Sequence, residues 1–141
     1  MQMGSKKDEK ERFSHYIQKT FKKTASLIAY TCRAVTYLAT TDHGLQEAAF
    51  EYGKNLGIAF QLVDDLLDFV SSKDELGKPA ANDLKLGLAT APVLFACEKF
   101  PELNEMIIRR FSEPGDVEKT YDAVMKVIPI LFHCVFLFNI N

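Results

Sequence analysis

The 141 residues contain no tryptophan, and cysteine, proline and glycine are scarce at 3, 5 and 7. Cys32, Cys97 and Cys134 are far apart and odd in number. That spacing excludes a CxxC redox or zinc motif and a disulfide framework, and it fits buried thiols in a reducing compartment. No stretch alternates apolar and polar residues as a half-buried strand does, and no repeat is present. No apolar run reaches the length of a membrane span. Residues 1–11 mix both signs of charge around no apolar core, which is unlike a secretory signal, and their acids speak against a transit peptide. A net charge of -2 argues against generic nucleic-acid binding. What remains is a chain of ordinary globular composition, 48% hydrophobic and 26% charged, with eleven phenylalanines for an aromatic interior.

The few breakers mark out helices. Residues 13–39 read as one helix and residues 45–70 as a second, separated by the turn cluster Thr40-Thr41-Asp42-His43-Gly44. Gly53 and Gly57 lie four apart on the second helix, so a neighbouring backbone can approach closely there. Residues 71–87 read as a polar loop. Thr90 is placed to cap a third helix with Pro92 in its first turn, ending near Phe100-Pro101. Shorter helices are expected over about 102–111 and after Pro114-Gly115-Asp116. The class is all-α. Residues 127–141 carry no charge and show no helical periodicity. They read as an out-of-place apolar tail, the alternative being a short buried strand or core segment.

Charge is segregated. Residues 1–41 hold 8 Lys+Arg and 3 Asp+Glu, residues 42–85 hold 4 and 9, and residues 86–141 hold 5 and 7, giving +5, -5 and -2. Solvated helix faces would explain this. So would a basic segment facing an acidic one across a bound anion and its metal.

The acidic segment contains Asp64, Asp65 and Asp68. At about 100° per residue, with Asp64 at zero, Asp68 falls at about 40°, Gln61 at about 60°, Lys54 at about 80° and Asp65 at about 100°. Leu62, Val63, Leu66, Leu67, Phe69 and Val70 fill the arc from about 140° to 300°. Carboxylates about 6 Å apart on a mostly buried helix repel by about 3 kcal/mol per pair at an effective dielectric of ~20. No Lys or Arg lies three or four residues from any of them. A hard cation relieves the repulsion, and Mg²⁺ favours one or two carboxylates together with substrate phosphates. The competing reading is a solvated acidic helix end. A diphosphate also needs cations and hydrogen-bond donors. Lys23-Thr24 offers both in the basic helix, Lys78 follows Gly77 in the loop after the aspartates, and Lys85 lies further on.

Taken together, these residues resemble the trans-type isoprenyl diphosphate synthases over about residues 12–126. The resemblance rests on Lys23-Thr24-Ala25-Ser26-Leu27, on Gly57-Ile58-Ala59-Phe60-Gln61-Leu62-Val63-Asp64-Asp65-Leu66-Leu67-Asp68-Phe69, on Leu76-Gly77-Lys78-Pro79, on Asn82-Asp83-Leu84 and on Thr90-Ala91-Pro92-Val93-Leu94. The wording of Gly87 to Ala96 looks most like the long-chain branch, which includes subunit 1 of decaprenyl and solanesyl diphosphate synthases and makes the ubiquinone side chain.

The resemblance implies an isoprenoid (terpenoid) synthase helical bundle, Mg²⁺ as cofactor, and head-to-tail addition of isopentenyl diphosphate to an allylic diphosphate. It makes Asp64, Asp65 and Asp68 the second aspartate-rich motif, with Asp64 the most direct metal ligand and Asp68 ordering metal-bound water. It makes Lys23, Lys78 and Lys85 diphosphate-binding residues, and it places Thr24 and Gln61 along the cation site. It also implies a homo- or hetero-oligomer and a mitochondrial location.

Leu88 stands where many members carry a Lys, and Lys85 is the candidate to replace it. The family's first aspartate-rich motif is expected before this stretch. The sequence therefore reads as a partial synthase domain over 1–126, inactive alone, with the 127–141 tail dispensable. Two other readings share these residues: a non-catalytic partner subunit and a terpene cyclase. Lys23-Thr24 with Gly77-Lys78 favours chain elongation over cyclisation.

Overall fold

The structure, a computed structural model, describes residues 6–70 and 81–138, with side chains over 10–70 and 81–129. Among these residues every regular element is helical: α1 (Lys6–Thr20), a π-helical turn (Phe21–Ala25), α2 (Ser26–Ala39), α3 (His43–Val70), α4 (Asn82–Lys85), α5 (Ala91–Lys99), α6 (Leu103–Ile108) and α7 (Asp116–Phe138). The chain forms two compact units, Phe13–Asp64 and Met1–Arg12 with Asp65–Asn141.

Phe13–Asp64 is a helical hairpin. The helix expected over 13–39 starts earlier, at Lys6, and is interrupted by the π turn. Backbone angles stay helical on both sides of that turn, and the Ser26 N–H donates to the Phe21 carbonyl five residues back. The reason is visible in the buried stripe. Thr20 and Ala25 are both buried although five residues apart. A regular α-helix would point them about 140° apart; the extra residue of a π turn brings them to one face.

After Ala39 the chain reverses. The Asp42 carboxylate accepts the Gly44 and Leu45 N–H groups at 2.7 and 3.2 Å, capping α3. The returning helix packs backbone to backbone, as the two glycines lead one to expect. A Cβ on Gly53 would lie 2.8 Å from Ala29 Cα, and one on Gly57 only 2.5 Å from Ala25 Cα. Ala25 and Ala29 are fully buried in this seam. The other faces stay open. Leu27, Tyr30 and Leu38 on α2, and Tyr52, Leu56, Phe60 and Val63 on α3, are exposed, Leu38 by 88%.

In the second unit α5 and α7 pack around Phe69, Leu84, Val93, Leu103, Met106 and Val124. The aromatic ring of Tyr121 stacks on Phe69, and its hydroxyl donates to the Phe69 carbonyl at 3.3 Å. α5 runs as expected up to Phe100-Pro101, but Thr90 does not cap it. Thr90 occupies the cap position with its hydroxyl buried and without a partner among the described residues. An N-cap oxygen needs the N–H of the second or third helical residue. The second is Pro92, which has none, and the third, Val93, already donates to the Thr90 carbonyl at 3.0 Å.

The Arg109 guanidinium grips Asp116 at 2.6 and 2.7 Å, and Asp116 also accepts the Glu113 N–H at 3.2 Å. This locks the turn before α7 and holds the Asp116 carboxyl below its ordinary value. The segment expected as an out-of-place tail begins inside α7, which continues through Pro129 to Phe138. Val127 and Ile128 lie in the core. Pro129 is exposed there.

Candidate functional site

The hairpin unit carries the first part of the site. The π turn meets the aspartate end of α3 through one polar chain. The Thr24 hydroxyl donates to Gln61 Oε1 at 2.9 Å, and Gln61 Nε2 donates to Asp64 Oδ2 at 3.0 Å. Lys23, adjacent to Thr24 on the same turn, is exposed and forms no ion pair among the described residues. The hairpin joins Thr24, Gln61 and Asp64 through these two hydrogen bonds, and Lys23 precedes Thr24 in the chain. Lys54, on the same polar stripe, is engaged elsewhere: its ammonium donates to both carboxylate oxygens of Glu51 at 3.0 Å.

The second unit carries other residues that the sequence singled out. Asp68 is half-buried, and its Oδ2 accepts the backbone N–H of Asp83 at 3.0 Å. That bond sits at the start of α4, a helical turn inside the stretch expected to be loop. Asn82-Asp83-Leu84 belongs to the resemblance, but the sequence gives Asp83 no role, because this bond is made by its backbone, which no side-chain pattern reports. Asp65 is buried, only 5% exposed. Lys85 is exposed at the end of α4, and Leu88 is exposed beyond it. Gly87 turns the chain in the left-handed region, φ 72°. Lys78 lies outside the described residues.

Among the described residues no three acidic, histidine or cysteine side chains gather into a metal cage. The three aspartates share one helix, but Asp65, about 100° round from Asp64, turns inward. Asp64 and Asp68 stand one turn apart in sequence on α3 and each keeps one carboxylate oxygen without a hydrogen-bond donor among the described residues. Such oxygens suit Mg²⁺, which keeps several waters and completes its octahedron with substrate phosphates rather than with an all-protein cage.

The chain is 61% identical over 126 residues to an all trans-polyprenyl-diphosphate synthase of Homo sapiens, covering 89% of this chain and 30% of the relative. It is 50% identical over 124 residues to decaprenyl-diphosphate synthase subunit 1 of Schizosaccharomyces pombe, covering 88% and 33%. The chain thus spans about a third of the length of these relatives. A solved structure, the apo form of an Arabidopsis medium/long-chain length prenyl pyrophosphate synthase, superposes with a TM-score of 0.72 at 42% identity, covering 86% of this chain and 41% of the other. Residues 1–124 match the Polyprenyl synthetase family, which takes in both the π turn and the aspartate end of α3, and the chain belongs to that family.

Proposed function

We propose that this chain supplies the second-aspartate half of a Mg²⁺-dependent, long-chain trans-prenyltransferase. In that reaction the carbon–oxygen bond of an allylic diphosphate breaks, the double bond of isopentenyl diphosphate attacks the allylic cation, and a proton leaves. The observation that carries the reading is the hydrogen-bonded chain from Thr24 through Gln61 to Asp64, in a member of this family.

Asp64 would be the direct metal ligand, with Asp68 ordering metal-bound water and Asp65 the buried member of the motif. Mg²⁺ bound there supplies the positive charge that a departing pyrophosphate needs. Lys23 neutralises phosphate oxygens as a mobile point charge on an exposed stem. Lys78 and Lys85 are the further cations of the diphosphate site. The long polyprenyl product would serve the ubiquinone side chain, in a mitochondrial setting like that named for the hexaprenyl pyrophosphate synthase of Saccharomyces cerevisiae.

A second reading, a partner subunit within a homo- or hetero-oligomer, is favoured by the exposed apolar faces of α2 and α3. Apolar patches of that kind mark interaction surfaces.

The sequence holds one DDxxD motif. The chain alone should therefore bind an allylic diphosphate in a Mg²⁺-dependent way and transfer little. Labelled isopentenyl diphosphate, an allylic primer and Mg²⁺ provide the assay. Elongation at ordinary enzymatic rates of about 1 s⁻¹ or above would contradict the half-site reading.

A further inference from the structure

The geometry points to Thr24 and Gln61 as positioning residues that act through Asp64: the π turn presents the Thr24 hydroxyl so that it fixes the Gln61 amide, and the amide in turn fixes the Asp64 carboxylate for metal. The inference rests on the proposed function in taking Asp64 as a metal ligand. It goes further in saying what makes Asp64 competent.

Donor and acceptor capacities fix the direction of this hydrogen-bonded chain. A primary amide has one accepting end and one donating end. Thr24 Oγ1 lies 2.9 Å from Gln61 Oε1, and Gln61 Nε2 lies 3.0 Å from Asp64 Oδ2. Turning the amide over would leave the hydroxyl a partner, since it can also accept. It would, however, bring the amide oxygen against a carboxylate oxygen, two acceptors with no proton between them. Only one orientation satisfies both ends. Thr24 is half-buried and Gln61 half-buried, whereas Asp64 is exposed. The two inner members are held by the hairpin, and order is passed outward to a carboxylate that would otherwise rotate freely in water. The bond to Oδ2 leaves Oδ1 for a cation.

The π turn is part of the device. Thr24 is one of its five residues, and Ala25, the next, abuts Gly57 one turn before Gln61 on α3. The close Gly57–Ala25 approach sets the distance that the Thr24–Gln61 bond must span. π turns within α-helices occur often at functional sites. Here the turn reads as the means by which one hydroxyl reaches across the hairpin.

The test measures Mn²⁺ binding to the full chain by electron paramagnetic resonance, with inorganic pyrophosphate present. The proteins are the wild type, Thr24→Val, Thr24→Ser, Gln61→Leu and Asp64→Asn. Loss of an outer-shell partner weakens metal binding by about 10–100-fold. Gln61→Leu should fall in that range, Thr24→Val towards its lower end, and Thr24→Ser should restore wild-type affinity. Nitrogen-15 spectra should show the Gln61 side-chain amide ordered in the metal-free wild type and averaged in Thr24→Val. Circular dichroism confirms that each variant is folded. Wild-type affinity in Thr24→Val and Gln61→Leu, with binding lost in Asp64→Asn, would overturn the relay and leave the proposed function standing. No Mn²⁺ binding by the wild type, or binding unaffected in Asp64→Asn, would overturn both.

Discussion

Replacing Gly57 by alanine tests the hairpin that holds the site. Alanine is the better helix former by about 0.8–1.0 kcal/mol, so on α3 alone the change should stabilise. The seam reverses that sign. The new Cβ would lie 2.5 Å from Ala25 Cα and 2.7 Å from Ala25 Cβ. Carbon atoms rest about 3.5–4.0 Å apart, so the helices must separate by about 1 Å. Overpacking costs about 1–3 kcal/mol. The atom in the way is backbone, which no rotamer change can move, so the upper end applies. The net expectation is a loss of about 2 kcal/mol after the propensity gain. That is a large fraction of a typical 5–15 kcal/mol. Urea unfolding followed by far-ultraviolet circular dichroism measures it. Ala59→Gly, on the exposed side of α3, calibrates propensity alone and should cost about 1 kcal/mol. Adding Ala25→Gly to Gly57→Ala should rescue only part of the loss, because it relieves the clash with the Ala25 methyl group and leaves the clash with the backbone behind it. A Gly57→Ala chain as stable as wild type, or more stable, would mean that the two helices do not meet at this seam.

A chain ending at Lys126 should be less stable, by about 3–6 kcal/mol, because Val127 and Ile128 are buried and each contributes about 1.5–3 kcal/mol; an unchanged urea midpoint would return the segment after Lys126 to the status of a dispensable tail. Asp116→Asn should lower stability at neutral pH and cease to matter in acid. The Arg109 guanidinium depresses the folded-state carboxyl, so its contribution is present above the unfolded value of about 3.9 and is lost as pH falls through the folded value. Unfolding midpoints of wild type and variant that stay equally far apart at pH 2 and pH 7 would refute that origin. Leu38→Glu should change stability by no more than about 0.5 kcal/mol, as surface substitutions do, and should reduce self-association in sedimentation velocity. A loss above that range would show Leu38 to be packed.

Much of this architecture is legible in the residue order because helix signals are local. The turn at Thr40 to Gly44, the start of α5 with Pro92 in its first turn, and the close approach at Gly53 and Gly57 all follow from backbone chemistry at single positions. The π turn does not, since its five residues have ordinary side chains. Its one trace is the five-residue step between the buried Thr20 and Ala25, which needs burial to be seen. The second half of α7 is obscured for a different reason. An uncharged run has no polar face to reveal a helical period, and Pro129 reads as a breaker although α7 continues through it. At the site, the spacing of Asp64, Asp65 and Asp68 identifies the stripe. It does not show that Asp65 is buried, nor that Asp68 holds the Asp83 N–H. The first is a matter of packing, and the second depends on a residue that the fold brings in from 15 positions away.

The most direct measurement of the central claim is calorimetric titration of inorganic pyrophosphate into this chain, with and without Mg²⁺. The wild type should bind only when Mg²⁺ is present. Asp64→Asn should abolish the metal dependence, and Lys23→Ala should weaken binding while leaving that dependence intact. Pyrophosphate binding of equal strength with or without Mg²⁺, or binding indifferent to Asp64→Asn, would contradict a metal–diphosphate half-site on α3.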